Sequence, residues 1–358
     1  MNILYKGKTR VRDLKKKVTI QDIADALGIS RNTVSKAINN TEGLADSTRE
    51  KILQKAQEMG YKQFSYARDL QPKSLPPLDS PGFQGEIALL CGTFLNYSHF
   101  ATLMLDKFQQ EISQLGYTMT THRVTEQNYQ NKTLPPSMNM THIRGILCVE
   151  MFNREYDEFL CSLDLPILFV DGPSRIDGKC LPADMLYMDN TTQIVQFVNN
   201  MLAHGLTRIG YVGNIGHCQS FFERYTAYRI AMFTADVPTD PSYFIQYNHL
   251  DQMYAQIAAL KELPDVFVCA NDFVAIDLMQ ALAACGKRVP EDVRICGFDD
   301  SAESRMCRPS LTTIHIHTQI MAYSATHLLI SRIKDPDLDF RTIHTETDLI
   351  YRDSSGTL

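Results

Sequence analysis

The sequence predicts an α/β protein: a small all-α head followed by a larger two-lobed body built on parallel sheets. Three observations carry this reading. Residues 18–62 show helical periodicity with capping residues at the helix ends. From Glu86 onward, apolar strand-like runs alternate with helical stretches, the pattern of βαβ units and parallel sheets. The charge is also split. Residues 1–73 hold 15 Lys and Arg against 8 Asp and Glu, a net +7, whereas residues 74–358 hold 20 against 33, a net −13. A basic head on an acidic body fits a phosphate-binding module joined to a part that does not touch nucleic acid.

In the head, Ile20, Ile23, Ala24 and Leu27 recur at helical spacing and define one apolar face. Thr19 stands where its hydroxyl accepts a first-turn N–H, and Gly28 permits a left-handed exit. Ser30 caps a second helix with Val34, Ala37 and Ile38 inward. Ser47 with Glu50 reads as a capping box for a third, with Ile52, Ala56 and Met59 inward and Gly60 at its exit. Two short helices joined by a glycine-containing turn form a helix-turn-helix, whose second helix meets base edges with its N-terminal end. That end carries Arg31, Asn32, Ser35 and Lys36. Arg and Lys suit guanine O6 and N7, and Asn suits adenine N6 and N7. A solvated polar face on an ordinary helical domain is the bland alternative; the agreement of three helices and their caps favours DNA.

The run TIQDIADALGISRNTVSKAIN, residues 19–39, resembles the N-terminal domain of LacI/GalR-family transcriptional regulators, including the Thr33-Val34-Ser35 step. Lys36 stands where that family usually has Arg, and lysine lacks the planar bidentate fork. The resemblance implies contacts to double-stranded operator DNA from Thr19, Ser30, Arg31, Asn32, Thr33, Ser35, Lys36 and Asn39. It implies a hinge helix within residues 63–83, with Tyr66 and Arg68 at the DNA and Leu70 as a minor-groove wedge. Gln63 and Phe64 depart from the family's proline and asparagine, and Asp69 brings a negative charge towards the phosphates. Residues 1–17, with six or more basic side chains, read as an arm adding non-specific phosphate contacts.

In the body, EIALLCG, YTMTTHRV, RGILCVE, PILFVDG, RIGYVG, DVFVCA and VRICGFDD read as strands. HFATLMLDKFQQEISQLG, a stretch from about Asn190 to His204, FFERYTAYRIAMF and DFVAIDLMQALAACG read as helices. Residues 84–358, roughly 270 in all, exceed one doubly wound domain and so divide into two lobes. This part resembles the same family's effector domain, which has the type I periplasmic binding protein fold. The matching steps are Ala270-Asn271-Asp272, Val289-Pro290-Glu291-Asp292-Val293, Gly297-Phe298-Asp299-Asp300, Pro309-Ser310-Leu311-Thr312-Thr313-Ile314 and Tyr351-Arg352-Asp353-Ser354. The resemblance implies three chain crossings between the lobes, effector binding between them and a homodimer.

Ligands of open α/β sheets bind beyond the carboxyl ends of the strands. The polar candidates there are Tyr97 and His99, Glu150, Asp171, Asn271, Asp272 and Asp299. Phe94, Tyr97 and Phe100 are aromatics that can stack on a sugar face. Arg224, read at the start of a helix, and Asp299 are placed in the cleft by the resemblance. The bland readings are a helix cap for Asp272 and a turn residue for Asp300.

Nine cysteines without a CxxC pair read as mostly buried, reduced thiols. His315 and His317 share a strand face, but no third ligand has suitable spacing, so no metal and no cofactor is expected. No apolar run reaches membrane length and no signal-peptide h-region is present, so a cytoplasmic protein without a membrane partner is expected. G-x-S-x-G, Walker A and HExxH motifs are missing, which argues against an enzyme. The expected function is a repressor of carbohydrate-use genes, controlled by a sugar or sugar-derivative effector. A dimer places two heads on a pseudo-palindromic operator. The competing reading is a carbohydrate-processing enzyme or sugar-binding protein with an appended DNA-binding head; turnover of candidate sugars separates the two. Leu70→Ala is expected to weaken operator binding while leaving the stability of the isolated effector domain unchanged, because a wedge acts only on DNA. Equal affinity and equal DNA bend for variant and parent would remove the wedge.

Overall fold

Local capping builds the head. The Asp22 N–H donates to Thr19 Oγ1 at 3.2 Å and the Thr19 N–H donates to the Asp22 carboxylate at 2.7 Å, a reciprocal box that starts α1 (Ile20–Leu27). Gly28 ends the helix at φ 65°, in the left-handed region where a side chain is strained. Ser30 Oγ accepts the Thr33 N–H at 3.1 Å and starts α2 (Arg31–Ile38). α3 spans Asp46–Glu58. Its first turn hangs on the Ala45 carbonyl, which accepts from the Arg49 N–H at 3.0 Å. Ser47 therefore lies inside the helix, a correction to the cap expected for it. Ile23, Ala24, Val34, Ala37, Ile52 and Ala56 form the core, ringed by Ile20, Leu27, Ile29 and Met59.

This computed structural model describes residues 19–38, 45–59, 82–92 and 99–356, and the chain divides into two units, Met1–Asp79 and Ser80–Leu358. The 1–17 arm, Asn39, Gly60, Tyr66, Arg68, Leu70, Phe94 and Tyr97 lie outside the described residues.

The second unit opens with β1 (Gly85–Cys91), α4 (His99–Gln114), β2 (Tyr117–Arg123), α5 (Glu126–Asn131), β3 (Ile143–Val149), α6 (Arg154–Cys161), β4 (Ile167–Val170) and β5 (Asp184–Met188). Then follow α7 (Thr192–Ala203), β6 (Ile209–Val212), α8 (Gln219–Thr234), β7 (Phe244–Ile245), α9 (Leu250–Ala259), β8 (Val266–Cys269), α10 (Asp272–Ala284), β9 (Arg294–Cys296) and α11 (Ala302–Met306). The chain ends with β10 (Thr313–Ile316), α12 (Thr318–Lys334), β11 (Thr342–Thr345) and β12 (Thr347–Ile350).

Lobe 1 holds a parallel sheet in the order β11-β5-β4-β3-β1-β2, and lobe 2 a parallel sheet in the order β7-β6-β8-β9. β10 and β12 pair antiparallel and continue the second sheet through bridges from Thr312 to Cys296 and from His315 to Asp299. β4, β6 and β8 are buried along their whole length, as strands covered on both faces must be. α12 packs on α4 and on β3, β4 and β5, so it belongs to lobe 1. The chain thus crosses between lobes three times: at 189–191, at His317 and at Glu346. α8 begins at Gln219, so Arg224 lies in its second turn and not at its start.

Two buried acids in lobe 1 behave oppositely. Asp184 on β5 accepts from Arg332 Nε and Nη2 and from Arg341 Nη2, each at 3.0 Å, and from the Arg341 N–H at 2.8 Å. Burial pushes its carboxyl up, but these donors outweigh burial and hold it below the usual carboxylate range. The cluster fastens α12 and β11 to β5. Asp157 on α6 has no exposed surface, and neither carboxylate oxygen has a hydrogen-bond partner. Burial pushes it up to about 8, with Arg154 opposing and Glu158 adding. The cysteines are unpaired; Cys91, Cys148, Cys218, Cys269 and Cys296 are buried, whereas Cys180 is exposed in the loop between β4 and β5.

The Asp157 value sets a pH dependence. The folded protein keeps a proton that the unfolded chain releases near 3.8, so stability falls as pH rises from that value towards about 8. Asp157→Asn removes the titration. Thermal melts of the full chain are expected to show the variant gaining on its parent with each step from acid to pH 8. Parallel pH profiles for the two proteins would contradict this.

Candidate functional site

The head presents one polar surface. Arg31, Asn32 and Lys36 are exposed on α2, Thr33 and Ser35 are half-buried, and Val34 and Ala37 face the core. The hydroxyls of Thr19 and Ser30 are engaged locally: Thr19 Oγ1 donates to Asp22 Oδ2 at 2.7 Å, and Ser30 Oγ lies 2.8 Å from Thr33 Oγ1. They fix where the helices begin, which aims the α2 donors. Guanidinium, amide and ammonium groups at one helix N-terminus supply the donors and acceptors that major-groove base edges match.

In the body, strand ends from both lobes and the second turn of α8 bring together Glu150, Asp171, Arg224 and Asp299. Arg224 is only 2% exposed. Its Nε donates to Asn190 Oδ1 at 2.9 Å and its Nη1 to the Ala270 carbonyl at 2.6 Å. Nη1 also lies 3.7 Å from Asp299 Oδ1. The guanidinium carbon sits 3.5 Å from the Phe298 ring centroid and 5.6 Å from that of Phe221. Burial drives the Asp299 carboxyl well above its ordinary range; Arg224 opposes this, while Asp272, Glu150 and Asp171 reinforce it. These carboxyls therefore share one electrostatic neighbourhood. Asp171 is likewise raised by burial, against the Gly172 N–H at 2.8 Å and the Ser220 N–H at 3.3 Å.

The Ser220 bond crosses between lobes, and others follow it. The Gln219 N–H donates to the Gly172 carbonyl at 2.9 Å, and the Arg175 N–H to Gln219 Oε1 at 2.8 Å. The Phe152 and His217 rings meet at 4.9 Å, and His217 and Phe221 at 5.3 Å. This junction of the lobes gathers carboxyls, a buried guanidinium and aromatic rings.

Three expected residues stand apart from this set. Asn271 caps α10, its side chain accepting the Val274 N–H at 3.0 Å. Asp272 has no exposed surface and accepts from Thr313 Oγ1 at 2.5 Å and from the Ser301 N–H at 2.8 Å. It ties three segments of lobe 2 together, both oxygens being engaged by the fold. Phe100, in the first turn of α4, packs partly on the main core. His99 opens that helix. Asp300 is more than a turn residue: burial raises its carboxyl, but bonds from His315, Arg305 and Arg352 outweigh burial and hold it well below its ordinary range. His315 is thereby engaged, and His317 Nε2 lies 3.2 Å from Asp348. Among the described residues no group of three His, Cys, Asp or Glu side chains could hold a metal ion. Sequence reasoning missed Asn190, His217, Gln219, Phe221 and Phe298. Their signal was position alone, each lying just beyond a strand or in the first turn of the helix after it.

Residues 19–63 match the family model for bacterial regulatory proteins of the lacI family, and residues 198–355 match the periplasmic binding protein-like domain. The HTH-type transcriptional repressor PurR of Vibrio vulnificus (strain CMCP6) is 26% identical over 344 residues, 94% of this chain and 98% of the relative. The HTH-type transcriptional regulator GalR of Lacticaseibacillus casei is 25% identical over 352 residues, 94% and 99% respectively. Among solved structures, the transcriptional regulator CelR–cellobiose complex has a TM-score of 0.67 at 20% identity, covering 94% of this chain and 100% of that one. The lac repressor dimer bound to operator and the anti-inducer ONPF has a TM-score of 0.62 at 18% identity, covering 96% and 100%. The solved structures establish the fold, and the sequence relatives are regulators rather than enzymes. With a lacI-type head followed by a periplasmic-binding-protein-like body, and relatives matched nearly end to end, the chain belongs to the LacI family of DNA-binding transcriptional regulators.

Proposed function

We propose that the protein is a repressor that binds a pseudo-palindromic operator as a homodimer through α2. A small polar effector, a sugar or sugar derivative, is held between the lobes and changes the grip on DNA. The observation that carries the effector reading is the convergence of Glu150, Asp171, Arg224 and Asp299 from both lobes on one cleft. Carboxylates and a guanidinium pair bidentately with hydroxyls, and Phe152, Phe221 and Phe298 supply apolar faces. Two structural neighbours support the partners: one holds cellobiose, and another is a dimer on its operator. The proposal to repress carbohydrate-use genes rests on the same sugar chemistry. A ligand that shifts Arg224 also loads its bonds to Asn190 and Ala270, and Asn190 lies in a crossover. Binding then acts on the hinge directly, so the two lobe arrangements differ in effector affinity, as coupling requires.

On an operator recovered by in vitro selection, Arg31→Ala and Asn32→Ala are each expected to cost about 1–3 kcal/mol and to relax one base position. If selection with the variants returns the parent's motif at the parent's affinity, α2 does not read bases. For the cleft, a thermal-shift screen of sugars, sugar phosphates and nucleobases identifies the effector. Asp299→Asn then weakens its calorimetric affinity by roughly 0.5–1.5 kcal/mol, the scale of a hydrogen bond to a neutral carboxyl, and leaves effector-free operator binding nearly unchanged. An Asp299→Asn protein with the parent's affinity would place the effector elsewhere.

A further inference from the structure

The first and third crossovers are bonded to each other. The Asp189 N–H donates to the Thr345 carbonyl at 2.7 Å, Thr347 Oγ1 donates to the Asp189 carbonyl at 3.0 Å, and Gln193 Nε2 donates to the Thr347 carbonyl at 3.0 Å. Beside them a chain of polar side chains runs from the cleft to the edge of lobe 1. Arg224 Nε donates to Asn190 Oδ1 at 2.9 Å, and Asn190 Nδ2 donates to Glu223 Oε2 at 2.8 Å. Glu223 Oε1 accepts from Gln219 Nε2 at 2.9 Å and lies 3.7 Å from His344 Nε2, an ion-pair rather than a hydrogen-bond distance. Glu223 belongs to α8 in lobe 2. His344 belongs to β11, the edge strand of lobe 1, and its ring stacks on Tyr187 at 5.3 Å and 24°.

We propose that His344 and Glu223 form a proton-dependent tie between the lobes, joined through Asn190 to Arg224, so that acidity sets how firmly the cleft is held shut. The regulatory consequence rests on the cleft being the effector site; the tie itself does not. Four groups face the imidazole: Glu223 from α8, Asp189 from the first crossover, Arg175 from the loop after β4, and Tyr187 from β5. Arg175 is turned partly away, its Nη2 donating to the Tyr187 hydroxyl at 3.2 Å. Two carboxylates thus act on the ring against one guanidinium. The Glu223 interaction raises the His344 pKa above 6.5, with burial opposing, Asp189 adding and Arg175 opposing.

A histidine whose pKa is raised by folding contributes stability that is full below the unfolded value of 6.5 and is lost as pH rises through the folded value. Here that stability belongs to the lobe-closed arrangement, since opening separates the pair. A ligand that favours closure therefore takes up protons and binds more tightly in mildly acidic medium, because linkage is reciprocal.

The test uses the full chain without effector or DNA. Imidazole resonances are titrated by NMR in the parent, in His344→Gln, which assigns the resonance, and in Glu223→Gln. His344 is expected to titrate above 6.5 in the parent and to return towards that value in Glu223→Gln. Hydrogen-exchange protection of residues 189–191 and 345–347, corrected for the intrinsic pH dependence of exchange, is expected to fall through the same titration in the parent only. A parent His344 titrating at or below 6.5, a value unmoved in Glu223→Gln, or crossover protection following the same course in His344→Gln would each overturn the tie. Neither readout involves a ligand, so failure of the cleft as an effector site leaves this result standing, and failure of the tie leaves the cleft standing.

Discussion

The body of this regulator is arranged around one buried cation. A guanidinium removed from water is stable only if its surroundings replace the lost hydration, because leaving a buried charge unpaired costs several kcal/mol. Arg224 is satisfied from three separate segments: the Asn190 amide in a crossover, the Ala270 carbonyl at the end of β8, and the Asp299 carboxyl beyond β9. The Phe298 ring covers its face. Each of these groups is held in turn. Asn190 also bonds Ser220 and Glu223 through Nδ2, and the Asp299 N–H donates to the Ile314 carbonyl at 2.9 Å. The position of Arg224 thus depends on the first crossover, two strand ends and β10 together. A displacement at any one of them reaches the others, which is the physical content of coupling in this fold.

The parts of this arrangement legible in the sequence are those determined by neighbours along the chain. The helices of the head follow from caps and apolar spacing within a few residues, and β1, β3, β4, β6 and β8 announce themselves as continuous apolar runs. What escaped detection is determined by distant residues. β5 begins at Asp184, a charge that sits in a buried strand only because Arg332 and Arg341 arrive from far along the chain. α12 buries Met321, Ala322, Ala325, Thr326, Leu328, Leu329, Ile330 and Arg332, more than one face of the helix, so no single apolar stripe marks it. β11 and β12 are four residues each and largely polar, and they become strands through pairing alone. The same division runs through the site. Glu150, Asp171 and Asp299 follow from the rule that ligands meet strand ends. That rule does not separate a ligand contact from a cap, the position Asn271 takes, or from a tie within the lobe, as Asp272 makes. Asn190 went unnoticed because it follows the strand that was not recognised.

The strand ends that carry Glu150, Asp171 and Asp299 share a backbone device. Glu150, Asp171 and Asp299 have φ values of 53°, 57° and 115°, all in the region that favours glycine. Yet each N–H still completes a bond to the neighbouring strand: Glu150 to the Val170 carbonyl at 3.3 Å, Asp171 to Leu186 at 3.0 Å and Asp299 to Ile314 at 2.9 Å. The sheet bonding therefore runs one residue past β3 and β4 and three residues past β9, and a residue with positive φ then turns the chain away from the sheet. Holding a non-glycine residue there costs on the order of 1–3 kcal/mol, and glycine would avoid it. Aspartate tolerates the conformation better than most residues, whereas glutamate has no such advantage. Glu150 is thus the one of the three whose side chain offers no compensation for the left-handed backbone. Glu150→Gly would relieve that strain and remove one of the carboxyls that act on Asp299.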